Sequence, residues 1–333
     1  MSKLTLALLF VLLSCTDTRA QQDSLSEADR VRIAEVYRLA EAVQDSMWNG
    51  WSEAPFALLL VTPEHEYLVH HPKPSEDFRS VRYDSLIQSV IYVRERVYST
   101  SLLASFPAVG GVPTIVIGQP ENTGKSSTFW VLTALHEHFH QFQSSRPGHF
   151  EAVDALDLSA ADETSMWMLN YPFPYDSTIV VERFVDWKAT LLAALRDANT
   201  PDFDDRLSAA LESRARLQKV LEEDDYKYLS FQLWQEGVAR YTEYKVAKAA
   251  TRYRATEAFK SLGDFVPFEQ ASDSIYRDIM QGLTDSSLDK HERVAFYPAG
   301  AAEAMLLDVA NPEWKQQYFE ERFDLTRLYG EAP

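Results

Sequence analysis

The sequence predicts an α+β protein that is predominantly α, with a small mixed N-terminal lobe of a few strands followed by a helical C-terminal lobe. Three observations carry that prediction. Val31, Ile33, Val36, Tyr37, Leu39 and Val43 recur at the spacing of a helix with one buried face. Short runs rich in aliphatic and β-branched residues, the pattern of buried strands, fall at 56–61, 67–69 and 114–117. After about residue 178 the period becomes helical throughout, over 180–198, 205–221, 229–250, 273–283 and 295–308.

The first residues belong to a different kind of element. Lys3 precedes an apolar run from Leu4 to Leu13, shorter than the roughly 20 residues a membrane-spanning helix needs, and it reads as a signal peptide. The run ends in Leu12-Leu13-Ser14-Cys15, which resembles a bacterial lipobox. That resemblance implies removal of residues 1–14 and lipidation of Cys15. Leu13 is bulky for the pattern, and Thr18-Arg19-Ala20 offers an alternative cleavage after residue 20. Either route predicts an exported protein of the bacterial cell envelope, lipid-anchored or else periplasmic or secreted. Cys15 is the chain's single cysteine, so disulfides, a thiol nucleophile and thiolate metal ligands are not expected. Contact with a membrane is expected only through the lipid anchor.

Residues 21–30 are polar and read as a tether to the first helix. Pro63-Glu64-His65 separates the first two strands as a turn. A helix is expected through Leu132, Leu135, Phe139 and Phe142, with the polar stretch 122–128 offering several N-caps. These elements group into a mixed lobe over 21–150 and a helical lobe over 151–333. Within the second lobe, the aromatic run from Trp167 to Tyr175, broken by Pro172 and Pro174, reads as an ordered connecting loop, with the lining of a substrate groove as the alternative.

Composition narrows the function. With 46% hydrophobic and 12% aromatic residues in 333, the chain can bury a sizeable core. A formal charge of −18 argues against nucleic acid, whose binding needs clustered Lys and Arg to displace counterions. Gly118 to Ser126 resembles a phosphate loop, but five residues separate Gly118 from Gly124 where the motif requires four, so no nucleotide is expected. No Gly-x-Ser-x-Gly elbow supports a serine triad.

Residues 136–140 read His-Glu-His-Phe-His, which satisfies H-E-x-x-H. On a helix, His136 and His140 stand one turn apart on one face and can share one Zn²⁺. Glu137 beside them suits a general base, taking a proton from a zinc-activated water as it attacks a carbonyl. His138 points elsewhere around the helix and is expected to pack. A catalytic zinc usually has a third protein ligand. Another histidine six residues beyond His140 is excluded, because Arg146 stands there and Gln143 replaces the intervening glycine. His149 is one alternative, beyond the break at Pro147-Gly148.

The stronger alternative is Glu236. The stretch from Leu233 to Glu243 contains Glu236-Gly237-Val238-Ala239 followed by Tyr241, and it resembles the second motif of gluzincins, zinc metallopeptidases whose third ligand is a glutamate. The resemblance covers two short motifs and implies Glu236 as that ligand. Small residues at 237 and 239 would let its helix approach the zinc helix. Some gluzincins brace a zinc histidine with an Asp four residues later. Here that position is Arg240, which leaves Glu243 or another carboxylate to brace the site. Gluzincins also place a Tyr or His downstream to stabilise the oxyanion, which implies Tyr297 in Phe296-Tyr297-Pro298, with His291 next. The expected protein is a zinc metallopeptidase with one ion per chain and a peptide or protein substrate. A zinc hydrolase of non-peptide amides, and a non-catalytic envelope lipoprotein that uses the scaffold for binding, stay open as alternatives.

Overall fold

The computed structural model describes residues 25–330 except 161, 163 and 164. The expected leader and Cys15 lie outside the described residues. The molecule is an α+β protein, predominantly helical, with its sheet in the N-terminal part. Two compact units divide the chain, each assembled from separated segments.

The first unit comprises the chain up to Ala42, Pro55–Gln141 and Arg254–Val266. Helix α1 (Glu27–Met47) begins in it. Six strands follow: β1 (Ala57–Val61), β2 (His65–Val69), β3 (Arg79–Asp84), β4 (Ser89–Glu95), β5 (Leu103–Val109) and β6 (Val112–Gly118). They form one sheet in the order β3-β4-β2-β1-β6-β5, antiparallel throughout except for the parallel pair β1 and β6. Strand β1 is buried along its whole length, as its continuous Ala-Leu-Leu-Leu-Val run requires. Leu59, Val61, Leu68, Val109 and Val116 form a hydrophobic core with Phe78.

Three strands beyond the expected ones complete the sheet, and two of them are its edges. Edge strand β3 is mostly exposed and lacks an apolar face, and edge strand β5 contains Pro107, which a central strand could not accommodate. Strand β4 alternates buried and half-buried residues, the signature of a strand with one covered face.

Helix α2 (Ser127–Ser144) carries the histidine motif. Near its start the Trp130 indole N–H donates to the Gly118 carbonyl at the end of β6, 2.7 Å. Near its other end the Gln141 amide donates to the carbonyls of Ala57 (2.9 Å) and Pro113 (2.8 Å), where β1 and β6 begin. The helix therefore runs back along the parallel pair β1 and β6. Its rise from Trp130 to Gln141, about 16 Å, matches the strand rise from Pro113 to Gly118, about 17 Å. The start of α2 is capped twice: Ser126 in its polar leader accepts from the Phe129 N–H (3.5 Å), and Asp264, far along the chain, accepts from the Ser127 N–H (2.8 Å) and hydroxyl (2.6 Å). A carboxylate there satisfies amides that have no partner inside the helix and complements its dipole.

The second unit comprises Val43–Ala54, Phe142–Tyr253 and Pro267–Pro333. Its helices are α3 (Thr178–Arg196), α4 (Phe203–Gln218), α5 (Glu223–Gln232), α6 (Val238–Ala250), α7 (Phe268–Asp285) and α8 (Phe296–Ala310). Between α5 and α6 the chain forms one wide π-helical turn, Leu233–Gly237. Gly237 and Gly300 make a close backbone crossing: a Cβ on Gly237 would come within 2.4 Å of the Gly300 Cα, and one on Gly300 within 2.6 Å of the Leu233 carbonyl. The small residue at 237 thus serves the crossing with α8. Deeper in the unit, the Arg214 guanidinium pairs with Glu303, both fully buried, and Ser230 and Asp324 also accept from it.

Candidate metal centre

Helical spacing brings His136 and His140 together. Their Nε2 atoms stand 3.2 Å apart with the rings nearly perpendicular. Two nitrogens bound to one tetrahedral ion at about 2.0–2.1 Å are separated by about 3.3–3.4 Å, so the pair already has the spacing of joint ligands. Glu137 follows His136 on this helix and is buried. His138 does pack: its ring stacks on Phe56 at 3.5 Å and Nδ1 lies 2.9 Å from the Gln141 amide oxygen. Burial pushes its pKa down to about 3, which keeps the imidazole neutral.

Glu236 occupies the π-helical turn. Widening a helix by one residue takes backbone carbonyls out of the regular ladder, and a buried carbonyl must find another donor. Two side chains serve the Trp234 carbonyl. The Tyr318 hydroxyl donates to it at 2.6 Å, and the Gln143 amide lies 3.4 Å from it and 3.1 Å from the Gln235 carbonyl. Gln143 also donates to the Tyr318 hydroxyl, 2.8 Å, while the Tyr318 ring stacks on Trp234 at 4.5 Å. Gln143 lies on α2, less than one turn beyond His140. The helix that bears the histidines thus ends in a side chain that grips the turn bearing Glu236.

The described residues contain a group able to hold a metal ion: His136, His140 and Glu236, whose ligand atoms all lie within 4.8 Å of one another. Two imidazoles and one carboxylate are a donor set that zinc accepts, and three protein ligands leave a tetrahedral position open. His149 is outside the group and starts a short helix, with its ring against Trp234 and Phe323. His291 is exposed, and its ring nitrogen faces the Ser287 backbone at 3.2 Å. Arg240, at the position where some gluzincins carry Asp, pairs with Glu243 at 2.6 Å.

Tyr297 lies in the first turn of α8, near enough to Glu236 for that carboxylate's charge to act on it. Its hydroxyl accepts from the Arg293 guanidinium at 2.9 Å. Burial, reinforced by the Glu236 charge, holds the phenol well above its ordinary pKa, so it remains a donor. Arg293 escaped the sequence reading. The available signal was a cation four residues before Tyr297, a helical neighbour across a turn. In the sequence Gln143 stands out only as the residue at a position where another zinc class carries glycine. The aromatic run 167–175 is packed, with Tyr171 stacked on Tyr228 at 4.4 Å and Phe173 against Phe296 at 5.3 Å.

No protein-family model matches the chain, and neither the curated proteins nor the solved structures contain a match.

Proposed function

We propose that the chain is a zinc-dependent metallopeptidase, with His136, His140 and Glu236 as metal ligands and Glu137 as general base. The observation that carries this reading is the convergence of the three ligand atoms from two sequence motifs about a hundred residues apart. Zinc held by two neutral imidazoles and one carboxylate would supply Lewis acidity, polarising a substrate carbonyl and lowering the pKa of a water towards about 7. The remaining work falls to the chain itself. Glu137 accepts the proton that the attacking water gives up as its oxygen bonds to the carbonyl carbon, and returns it to the amine nitrogen as the C–N bond breaks. Tyr297, whose hydroxyl lies within the field of Glu236 and is kept protonated, is the donor for the oxyanion that develops on the carbonyl oxygen. Glu243, held by Arg240, is buried in the second unit as a further carboxylate.

The test is hydrolysis of a peptide pool by zinc-loaded wild type and Glu137→Gln. The variant keeps its zinc and loses about 10²–10⁴-fold in rate, the usual worth of a general base. Full activity in the variant would sink the mechanism. Zinc binding without hydrolysis in the wild type would move the assignment to a binding protein on a metallopeptidase-like scaffold.

A further inference from the structure

Strand β2 runs out into two histidines, and the second is built into the fold. His71 is 7% exposed, in the connection from β2 to β3, and both of its ring nitrogens face backbone groups. Nδ1 accepts from the Lys73 N–H at 3.1 Å, so the ring proton sits on Nε2, which donates to the Val109 carbonyl at the end of β5, 3.1 Å away. The turn that follows, Gly110-Gly111, is left-handed at both residues, with φ 56° and 74°. It lies against the same connection: a Cβ on Gly110 would come within 2.8 Å of the Lys73 carbonyl oxygen. One neutral imidazole, in one tautomer, fastens the β2–β3 connection to the tip of the β5–β6 hairpin.

We propose that this contact is an acid-sensitive latch, closed while His71 is neutral and released when its ring takes a second proton. An imidazolium is a donor at both nitrogens. The new Nδ1–H would meet the Lys73 N–H, donor against donor, and the Lys73 peptide has to turn away. Because Gly110 packs on the carbonyl of that residue, the turn lifts the connection off the hairpin tip. Release stays local, since Phe78 at the far end of the connection is held in the hydrophobic core. The hairpin tip from Val109 to Val112 has no titratable side chain, and the connection itself brings only the exposed Lys73 amine and His70, whose Nε2 lies 2.9 Å from the Ile87 carbonyl. Burial is the largest influence on the His71 ring and holds its pKa below the ordinary 6.5, with no charged side chain acting on it. With the folded value depressed, the closed form is favoured in full above about 6.5 and that share is lost as pH falls through the folded value. Asp84, held below the ordinary carboxylate range, stays ionised there, so the corner opens before the fold is threatened.

The experiment is hydrogen–deuterium exchange of the full-length protein read by mass spectrometry at about pH 8 and about pH 5, the range over which a histidine changes charge, with labelling times scaled to the intrinsic exchange rate. Peptides covering 73–77 and 110–113 should lose protection about tenfold at the lower pH, the worth of one hydrogen bond, while those from β1 and α2 keep theirs. His71→Gln, whose amide can donate to Val109 and accept from Lys73 without titrating, should stay protected at both. Equal protection of the wild type at the two pH values, or the same acid loss in His71→Gln, would overturn the proposal. Should His71→Gln be open at both, the wild-type His71 ring followed by NMR decides: a titration midpoint that coincides with the exchange midpoint upholds the latch, and separate midpoints refute it.

Discussion

Gln143 shows how one side chain can tie two parts of a site. It is fully buried, and its amide serves the Trp234 and Gln235 carbonyls and the Tyr318 hydroxyl together. Replacing it with Leu keeps the volume and removes the donor, while the Trp234 carbonyl keeps the Tyr318 hydroxyl and the Gln235 carbonyl a backbone N–H, so the loss is that of a net hydrogen bond, about 0.5–1.5 kcal/mol. Gln143→Leu should therefore lower stability by that order, read by urea unfolding in chelator. It should also weaken zinc binding about 10–100-fold, the usual effect of losing a residue that orients a ligand. Unchanged zinc affinity in a folded Gln143→Leu would show that the turn positions Glu236 without this grip. At the same scale Tyr297→Phe removes the hydroxyl proposed to serve the oxyanion and should reduce turnover more than zinc content.

Among elements, the wide turn and the glycine crossing belong together. Gly237→Ala would push a methyl into the α8 backbone at a point where Cα atoms already meet, and neither backbone can yield as a side chain would. Overpacking of this kind costs about 1–3 kcal/mol. The variant should unfold at lower urea and lose zinc with it, whereas Gly263→Ala, whose added methyl meets nothing within 4 Å, should not. The α2 cap makes a separate case. Asp264→Ala removes the acceptor of the Ser127 amide and should cost about 1 kcal/mol by denaturant unfolding. How these elements could be foreseen depends on whether their cause is local. The period of α2 and the His136, Glu137, His140 spacing were legible because helical geometry alone places those side chains. Glu236 was legible only through its motif. The π turn depends on carbonyl partners from Gln143 and Tyr318, and the second cap of α2 on Asp264, and no local pattern announces either, while the Ser126 cap was among those the polar stretch 122–128 offered. Edge strands β3 and β5 were hidden because an edge need not carry an apolar face.

Over the whole molecule, acid stability follows from carboxylates that folding holds ionised. Asp84 is buried, which opposes its charge, but hydrogen bonds from Arg30 and the Leu86 and Ile87 amides outweigh this and leave its pKa below the ordinary 3.8. For Asp308 burial is again opposed, by Lys245, Tyr241 and Trp314, with the same net direction. A carboxyl whose folded pKa is depressed stabilises the fold fully above its unfolded value, and that share is lost as pH falls through the folded one. Melting temperature should thus drop as pH falls below about 4, and Asp84→Asn should flatten that limb while lowering stability at neutral pH. Export is a separate proposal of the same scale. Among the described residues no helix is long and apolar enough to cross a membrane, and the reading of Cys15 as a lipid anchor predicts palmitate labelling that Cys15→Ala abolishes.

The metal centre is the claim on which the rest depends, and elemental analysis of the purified chain beside His140→Ala and Glu236→Ala tests it directly. The account predicts one zinc per wild-type chain, lost or much reduced in both variants while their folds persist. Zinc at the wild-type level in either variant, or none in the wild type after reconstitution, would contradict it.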